Sequence, residues 1–140
     1  MGNKRTGLLK NKKGFTLIEL LVVISIIGVL ALMGLRLYLT QQEKAKNAMV
    51  KANAGTVQTL IQAELADKDV TLLEAVSIAT KAGLHNPFNN ASMENSGDFP
   101  DEDENLAPGK IKITLSDDGI FSIQGYGADG LLPDILTARK

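Results

Sequence analysis

From Phe15 to Leu39 the chain is apolar at nearly every position, and only Glu19 and Arg36 carry charge in those 25 residues. Leu20 to Leu35 is a run of 16 residues with no charge at all. As a helix, 25 residues reach roughly 37 Å, enough to cross a hydrocarbon core of about 30 Å. The segment is apolar all round rather than on one stripe, which predicts burial on every side. From Thr40 the pattern becomes periodic with no break between. Residues 40–66 contain no proline and one glycine, Gly55. Ala45, Ala48, Met49, Ala52, Leu60 and Ala63 recur at helical spacings, with Gln41, Glu43, Lys44, Lys46 and Lys51 between them. The pattern predicts a single helix from about Phe15 to about Ala66, its first half membrane-like and its second half amphipathic.

Asp67-Lys68-Asp69 ends that periodicity. Thr71-Leu-Leu-Glu74 has capping-box spacing and predicts a short helix over about 72–82, with Gly83 just past its end. Residues 85–108 are rich in Asn, Asp, Glu and Pro and read as a long surface loop. Residues 110–116 alternate strictly, placing Ile111, Ile113 and Leu115 on one face of a strand. Asp117-Asp118-Gly119 is a hairpin turn into a second strand at 120–126. A third strand at 131–137 contains Pro133 and so belongs at a sheet edge. The expected fold class is α+β: a long N-terminal helix whose second half packs on a small antiparallel sheet. The expected parts are a basic leader (1–14), an apolar helix (15–39) and a head that includes the amphipathic half (40–140).

Charge divides the chain in the same place. Residues 1–14 hold five of the 15 basic residues, Lys4, Arg5, Lys10, Lys12 and Lys13, and none of the 16 acidic ones. The remaining ten basic and 16 acidic residues leave the body at −6. An acidic body argues against nucleic acid as a partner of the head. A basic start before an apolar helix suits an N-terminus on the cytoplasmic side of a membrane. With no cysteine, disulfides, thiolate metal sites and cysteine nucleophiles are excluded.

Few side chains suggest chemistry. His85 is the sole histidine and reads as a loop residue, and Asp117 and Asp118 read as turn formers. The acidic stretch 98–104 reads as a solvated loop. Asp98, Asp101 and Asp103 are its candidate Ca²⁺ ligands, although no fixed-spacing ligand motif is present. No cofactor is otherwise expected. The body offers no nucleophile–base pair and no phosphate-binding glycine loop, so no enzymatic activity is expected. Glu19 is the unusual residue, because a carboxylate inside an apolar segment has no water to solvate it and calls for a partner. Arg36 reads as a side chain that snorkels to the outer interface. Gly28 and Gly34 are places where the helix could unwind.

Lys12-Lys-Gly14-Phe15-Thr-Leu-Ile-Glu19, followed by the apolar run to Leu35, resembles the processing site of type IV pilins and of the related pseudopilins. The resemblance implies cleavage between Gly14 and Phe15 by a prepilin peptidase, methylation of the new Phe15 amine, and a mature product starting at Phe15. It implies a structural filament subunit that polymerises with copies of itself through its N-terminal helix, with minor pilins or pseudopilins and an inner-membrane assembly platform as further partners. The precursor would sit in the cytoplasmic membrane with its N-terminus inside, and the mature form in an extracellular or periplasm-spanning filament. Glu19 could meet its own amine, four positions back on the same helix face; the family picture has it meet the amine of a neighbouring subunit. Where many pilins carry proline, this chain has Arg36. A pilus pilin and a major pseudopilin of a type II secretion or competence system both remain open, and a membrane-anchored binding module that does not polymerise is the alternative from another class. Gly83 to Phe88 resembles a family segment expected to anchor Phe88 on the sheet.

Overall fold

The computed structural model describes residues 14–140, so the predicted basic leader lies, except for Gly14, outside the described residues. Helix α1 runs over Leu17–Asp67 and α2 over Leu72–Thr80. Three antiparallel strands follow, β1 (Ile111–Leu115), β2 (Phe121–Tyr126) and β3 (Leu131–Ala138), in the order β1-β2-β3. The α+β class inferred from the pattern therefore holds. The chain divides into two compact units, the first ending at Tyr38 and the second spanning Leu39–Lys140.

In the first unit, α1 is exposed at every residue from Leu17 onward. The second unit has a conventional core. α1 contributes Val50, Ala54, Val57, Ile61 and Leu65 to it, at intervals of three and four residues. Ala75 and Ala79 of α2, Ile111 and Ile113 of β1, and Phe121 and Ile123 of β2 close over that stripe. Each large apolar side chain so buried contributes about 1.5–3 kcal/mol against solvent exposure.

This stripe is not the face that the sequence spacing suggested. Ala45, Ala48, Met49, Ala52, Leu60 and Ala63 are all exposed. At about 100° per residue they lie roughly 100–180° around the helix from the centre of the buried set. Both faces of this part of α1 are apolar, and only one is covered by the head. The covered face carries the β-branched Val50, Val57 and Ile61, which fit the pleated sheet surface; the bare face is mostly alanine.

Close approach decides where helix and sheet meet. A Cβ at Gly125 would stand 2.5 Å from Val50 Cγ1, and one at Gly127 would stand 2.7 Å from Asn47 Oδ1. Glycine lets β2 run against α1 there, and the Ala128 amide donates to Asn47 Oδ1 at 3.0 Å. Further along, Gln58 Nε2 donates to the Thr137 carbonyl (2.8 Å), while Gln62 both donates to the Arg139 carbonyl (2.7 Å) and accepts from its amide (3.1 Å). Lys51 pairs with Asp134 at 2.8 Å. These α1 side chains tie the C-terminal end of β3 and the residue after it to the helix, while most of the strand stays exposed. Pro133 lies where the β2–β3 register slips between Gln124 and Tyr126, and Gln124 Nε2 holds the slipped strand through the Leu132 carbonyl at 2.6 Å.

α2 starts at a full capping box. The Glu74 amide donates to Thr71 Oγ1 (3.3 Å), and the Glu74 carboxylate accepts from the Thr71 amide (2.9 Å). The helix ends two residues before the predicted limit because its last turn tightens: Lys81 and Ala82 amides bond the Ile78 and Ala79 carbonyls, three residues back. Gly83 follows at φ +68°. Bonds from the Thr71 amide and hydroxyl, then Lys68, hold the Glu74 carboxyl below its usual range. A hydrogen bond to Glu64, then the charges of Glu64 and Glu74, hold Lys68 above its own.

Residues 85–108 contain two short 3-10 turns, Ser96–Asp98 and Asp103–Asn105, and they do not lie wholly on the surface. Met93 and Phe99 are fully buried in the core. Asn86, 5 % exposed, organises the start of the stretch. Its Nδ2 donates to the Pro108 carbonyl (2.9 Å), and its Oδ1 accepts from the Phe88 amide (2.8 Å). Gly109, at φ +91°, lies against that amide, and a Cβ there would fall 1.8 Å from Asn86 Oδ1. Phe88 is half-buried beneath Lys46, whose Nζ stands 5.4 Å from the ring centroid; the aromatics buried in the core are Phe99 and Phe121. Asn86, rather than Phe88, gives this segment its structural role. Leu115, expected to share the buried face of β1, is partly exposed at the strand's end.

Three outcomes follow for denaturant unfolding of the detergent-solubilised chain. Ile61→Ala should cost about 2–5 kcal/mol through loss of packing and the cavity left behind. Met49→Ala, on the bare face, should stay within roughly 0.5 kcal/mol. Gly109→Ala should destabilise by more than about 1 kcal/mol, from a positive φ and a clash with a buried amide. As for pH, the Glu74 contribution is complete above the unfolded carboxylate's value and disappears as pH falls through the lowered folded one. The Lys68 contribution is present below the unfolded lysine's value and disappears as pH rises through the raised folded one. Glu74→Gln should flatten the acid side of the pH–stability profile.

Candidate processing and assembly site

Gly14, Phe15 and Thr16 precede the helix in non-helical backbone. Phe15 is 83 % exposed, and nothing lies within 4 Å of where a Cβ on Gly14 would be. Among the described residues nothing crowds the Gly14–Phe15 bond, and no helix runs through it. Thr16 starts the helix: its Oγ1 accepts from the Glu19 amide at 3.2 Å, and its carbonyl accepts from the Leu20 amide at 3.2 Å. The Thr-x-x-Glu spacing of Thr16 and Glu19 was the sequence signal for this cap. Only half of the box is formed, however. Among the described residues no donor meets the Glu19 carboxylate.

Glu19 therefore stands in the first turn of α1, where a negative charge is favoured by the helix dipole. Its neighbours Ile18, Leu20, Leu21, Val22 and Val23 are exposed apolar side chains. The arrangement presents one carboxylate on an apolar surface, two turns or less from the bond that would release an amine. Ser25, the one hydroxyl in the middle of the apolar run, donates to the Leu21 carbonyl at 2.7 Å and makes no outward demand. α1 continues through Gly28, Gly34 and Arg36 without a break.

The acidic stretch does not converge on a cation. The Asp98 carboxylate accepts from the Asn95 amide at 3.2 Å, as the cap of a 3-10 turn. Asp103 accepts from Lys112 Nζ at 2.6 Å. Asp101 stands apart from both, and among the described residues no three His, Cys, Asp or Glu side chains gather as a metal site. The His85 carbonyl accepts from Asn53 Nδ2 (2.9 Å), so the residue acts through its backbone. Asp117 and Asp118 occupy the β1–β2 turn, completed by Gly119 at φ +74°.

The prokaryotic N-terminal methylation motif matches residues 9–35. The chain is similar to the type IV major fimbrial protein FimA of Dichelobacter nodosus, 29% identical over 122 residues, which is 81% of this chain and 78% of that protein. It is 34% identical over 73 residues to the type IV major alpha-pilin of Moraxella bovis, or 52% of this chain and 46% of that one. It is 46% identical over 55 residues to the fimbrial protein EcpB of Eikenella corrodens, or 39% of this chain. The matched stretch spans 35% of the Eikenella protein, about a third of its length. No solved structure matches the chain. The methylation motif lies on the exposed apolar helix, and the chain is similar in sequence to these type IV fimbrial and pilin proteins.

Proposed function

We infer that the protein is a structural subunit of a type IV pilus-like filament. In this reading a prepilin peptidase cuts between Gly14 and Phe15, the Phe15 amine is methylated, and copies polymerise through α1. The observation that carries it is Glu19: a carboxylate in the first turn of an exposed apolar helix, without a donor among the described residues, five positions after an accessible glycine. Cleavage creates the missing cation on Phe15. A buried carboxylate–ammonium pair contributes little net stability, but it penalises any alignment that leaves either charge alone. Its use here is to fix the axial register between neighbouring subunits. The bare face of α1 from Ala45 to Ala63 extends the apolar surface that neighbouring copies would cover. Before assembly the apolar segment holds the precursor in the cytoplasmic membrane, with its basic start inside.

Mass spectrometry of the purified mature chain should find Phe15 at its N-terminus, one methylene heavier than the free amine. A chain starting at Met1, or beyond the apolar run, would remove the basis of the reading. Glu19→Ala should leave processing possible while abolishing sheared filaments under electron microscopy. A loss of about 1.4 kcal/mol at each subunit contact already weakens that contact tenfold. Unchanged filaments in that variant would point instead to a membrane-anchored module.

A further inference from the structure

Arg36 is a cation placed among Leu35, Leu37, Tyr38 and Leu39, on a helix that runs through it uninterrupted. From Leu17, where α1 begins, to Arg36 is 19 residues, which is roughly 28 Å at 1.5 Å per residue. A bilayer's hydrocarbon core is about 30 Å thick. The sequence thus sets charge at both ends of a span of membrane thickness, Lys12 and Lys13 before it and Arg36 after it. Within the span, the Ser25 hydroxyl is already satisfied by the Leu21 carbonyl, so nothing between Leu20 and Leu35 resists hydrocarbon. Tyr38 follows Arg36 by two residues and is 62 % exposed.

We propose that Arg36, with Tyr38, binds the phosphate oxygens of lipid headgroups at the outer face of the membrane and so sets the depth at which α1 rests before assembly. The guanidinium suits this because its planar fork meets phosphate through two parallel hydrogen bonds. Tyrosine suits it because an apolar ring with a polar tip prefers the headgroup boundary. Without Arg36 the uncharged run would extend from Leu20 to Gln42. Such a run exceeds the hydrocarbon thickness, and the helix could tilt or slide inward by about a turn, roughly 5 Å. The assignment rests on the membrane-held precursor described above, and on no feature of the filament.

The chain has no cysteine, so one introduced thiol reports alone. Leu39→Cys in the full-length chain would be reconstituted in vesicles of phosphatidylethanolamine and phosphatidylglycerol, and its rate of reaction with a membrane-impermeant maleimide measured. Thiols react as the hydrated thiolate, so entry into hydrocarbon slows them. Adding Arg36→Leu should slow labelling by on the order of tenfold, and Arg36→Lys, which keeps the charge but not the two-bond fork, should restore only part of the rate. Equal rates in all three backgrounds would overturn the proposal, leaving Arg36 as a contact between subunits. Leu30→Cys should label very slowly in every background. Rapid labelling there would instead overturn the membrane reading on which the proposal depends.

Discussion

One continuous helix in this protein has to satisfy two sets of surroundings, and its side chains divide accordingly. Up to Leu35 it offers apolar groups on nearly every side, with its polar backbone bonded internally and the Ser25 hydroxyl bonded to its own helix. From Asn47 onward one face is committed to the head. That commitment involves more than apolar burial. Gly125 and Gly127 remove the side chains that would hold β2 away from Val50 and Asn47. Gln58 and Gln62, one turn apart, then bond the Thr137 carbonyl and both backbone groups of Arg139 at the end of β3. The small three-stranded sheet is thereby pinned to its own helix at the end of β3. The opposite face of the helix keeps its alanines, Met49 and Leu60 bare.

The sequence made the elements legible but misled on which helix face is buried. Element types follow from periodicity: the all-round apolar run, the Thr71–Glu74 box and the alternation at Ile111–Ile113 each have few alternatives. The buried face was harder to read because two apolar stripes lie opposite one another, and period alone cannot rank them. The deciding quantity is shape. Val50, Val57 and Ile61 fill the sheet's inner face, whereas alanines at 45, 48, 52 and 63 cannot fill a core. The stretch from His85 to Pro108 was read by its polar composition, which hid Met93 and Phe99. Two apolar residues in a polar stretch give no periodic signal, and their burial depends on the Asn86 clamp, itself a long-range contact with Pro108.

The candidate site is easier to read along the sequence than the core, for a physical reason. A core residue's role depends on partners distant in sequence, but Gly14, Phe15, Thr16 and Glu19 act through local geometry: an accessible peptide bond, a cap and a first-turn carboxylate. Thr16 adds what motif reading alone had passed over. By taking the Glu19 amide as the first bonded donor, it fixes where the helix begins, and hence which way the Glu19 side chain leaves it.

That cap also bears on how Glu19 would choose its partner. If α1 begins at Leu17 under a Thr16 cap, the residues before it are not helical, and Phe15 does not sit one helical turn below Glu19. The i, i+4 geometry that would let the carboxylate reach its own amine requires helix through both positions. A Thr16-capped start therefore disfavours pairing within one chain, and it leaves the amine and the carboxylate of each subunit to be matched by those of others. On the proposed cleavage, each copy would carry one charge of each sign a short distance apart on an apolar surface. Such a surface is complementary to a displaced copy of itself, and a head-to-tail contact of that kind repeats as an open filament rather than closing as a pair.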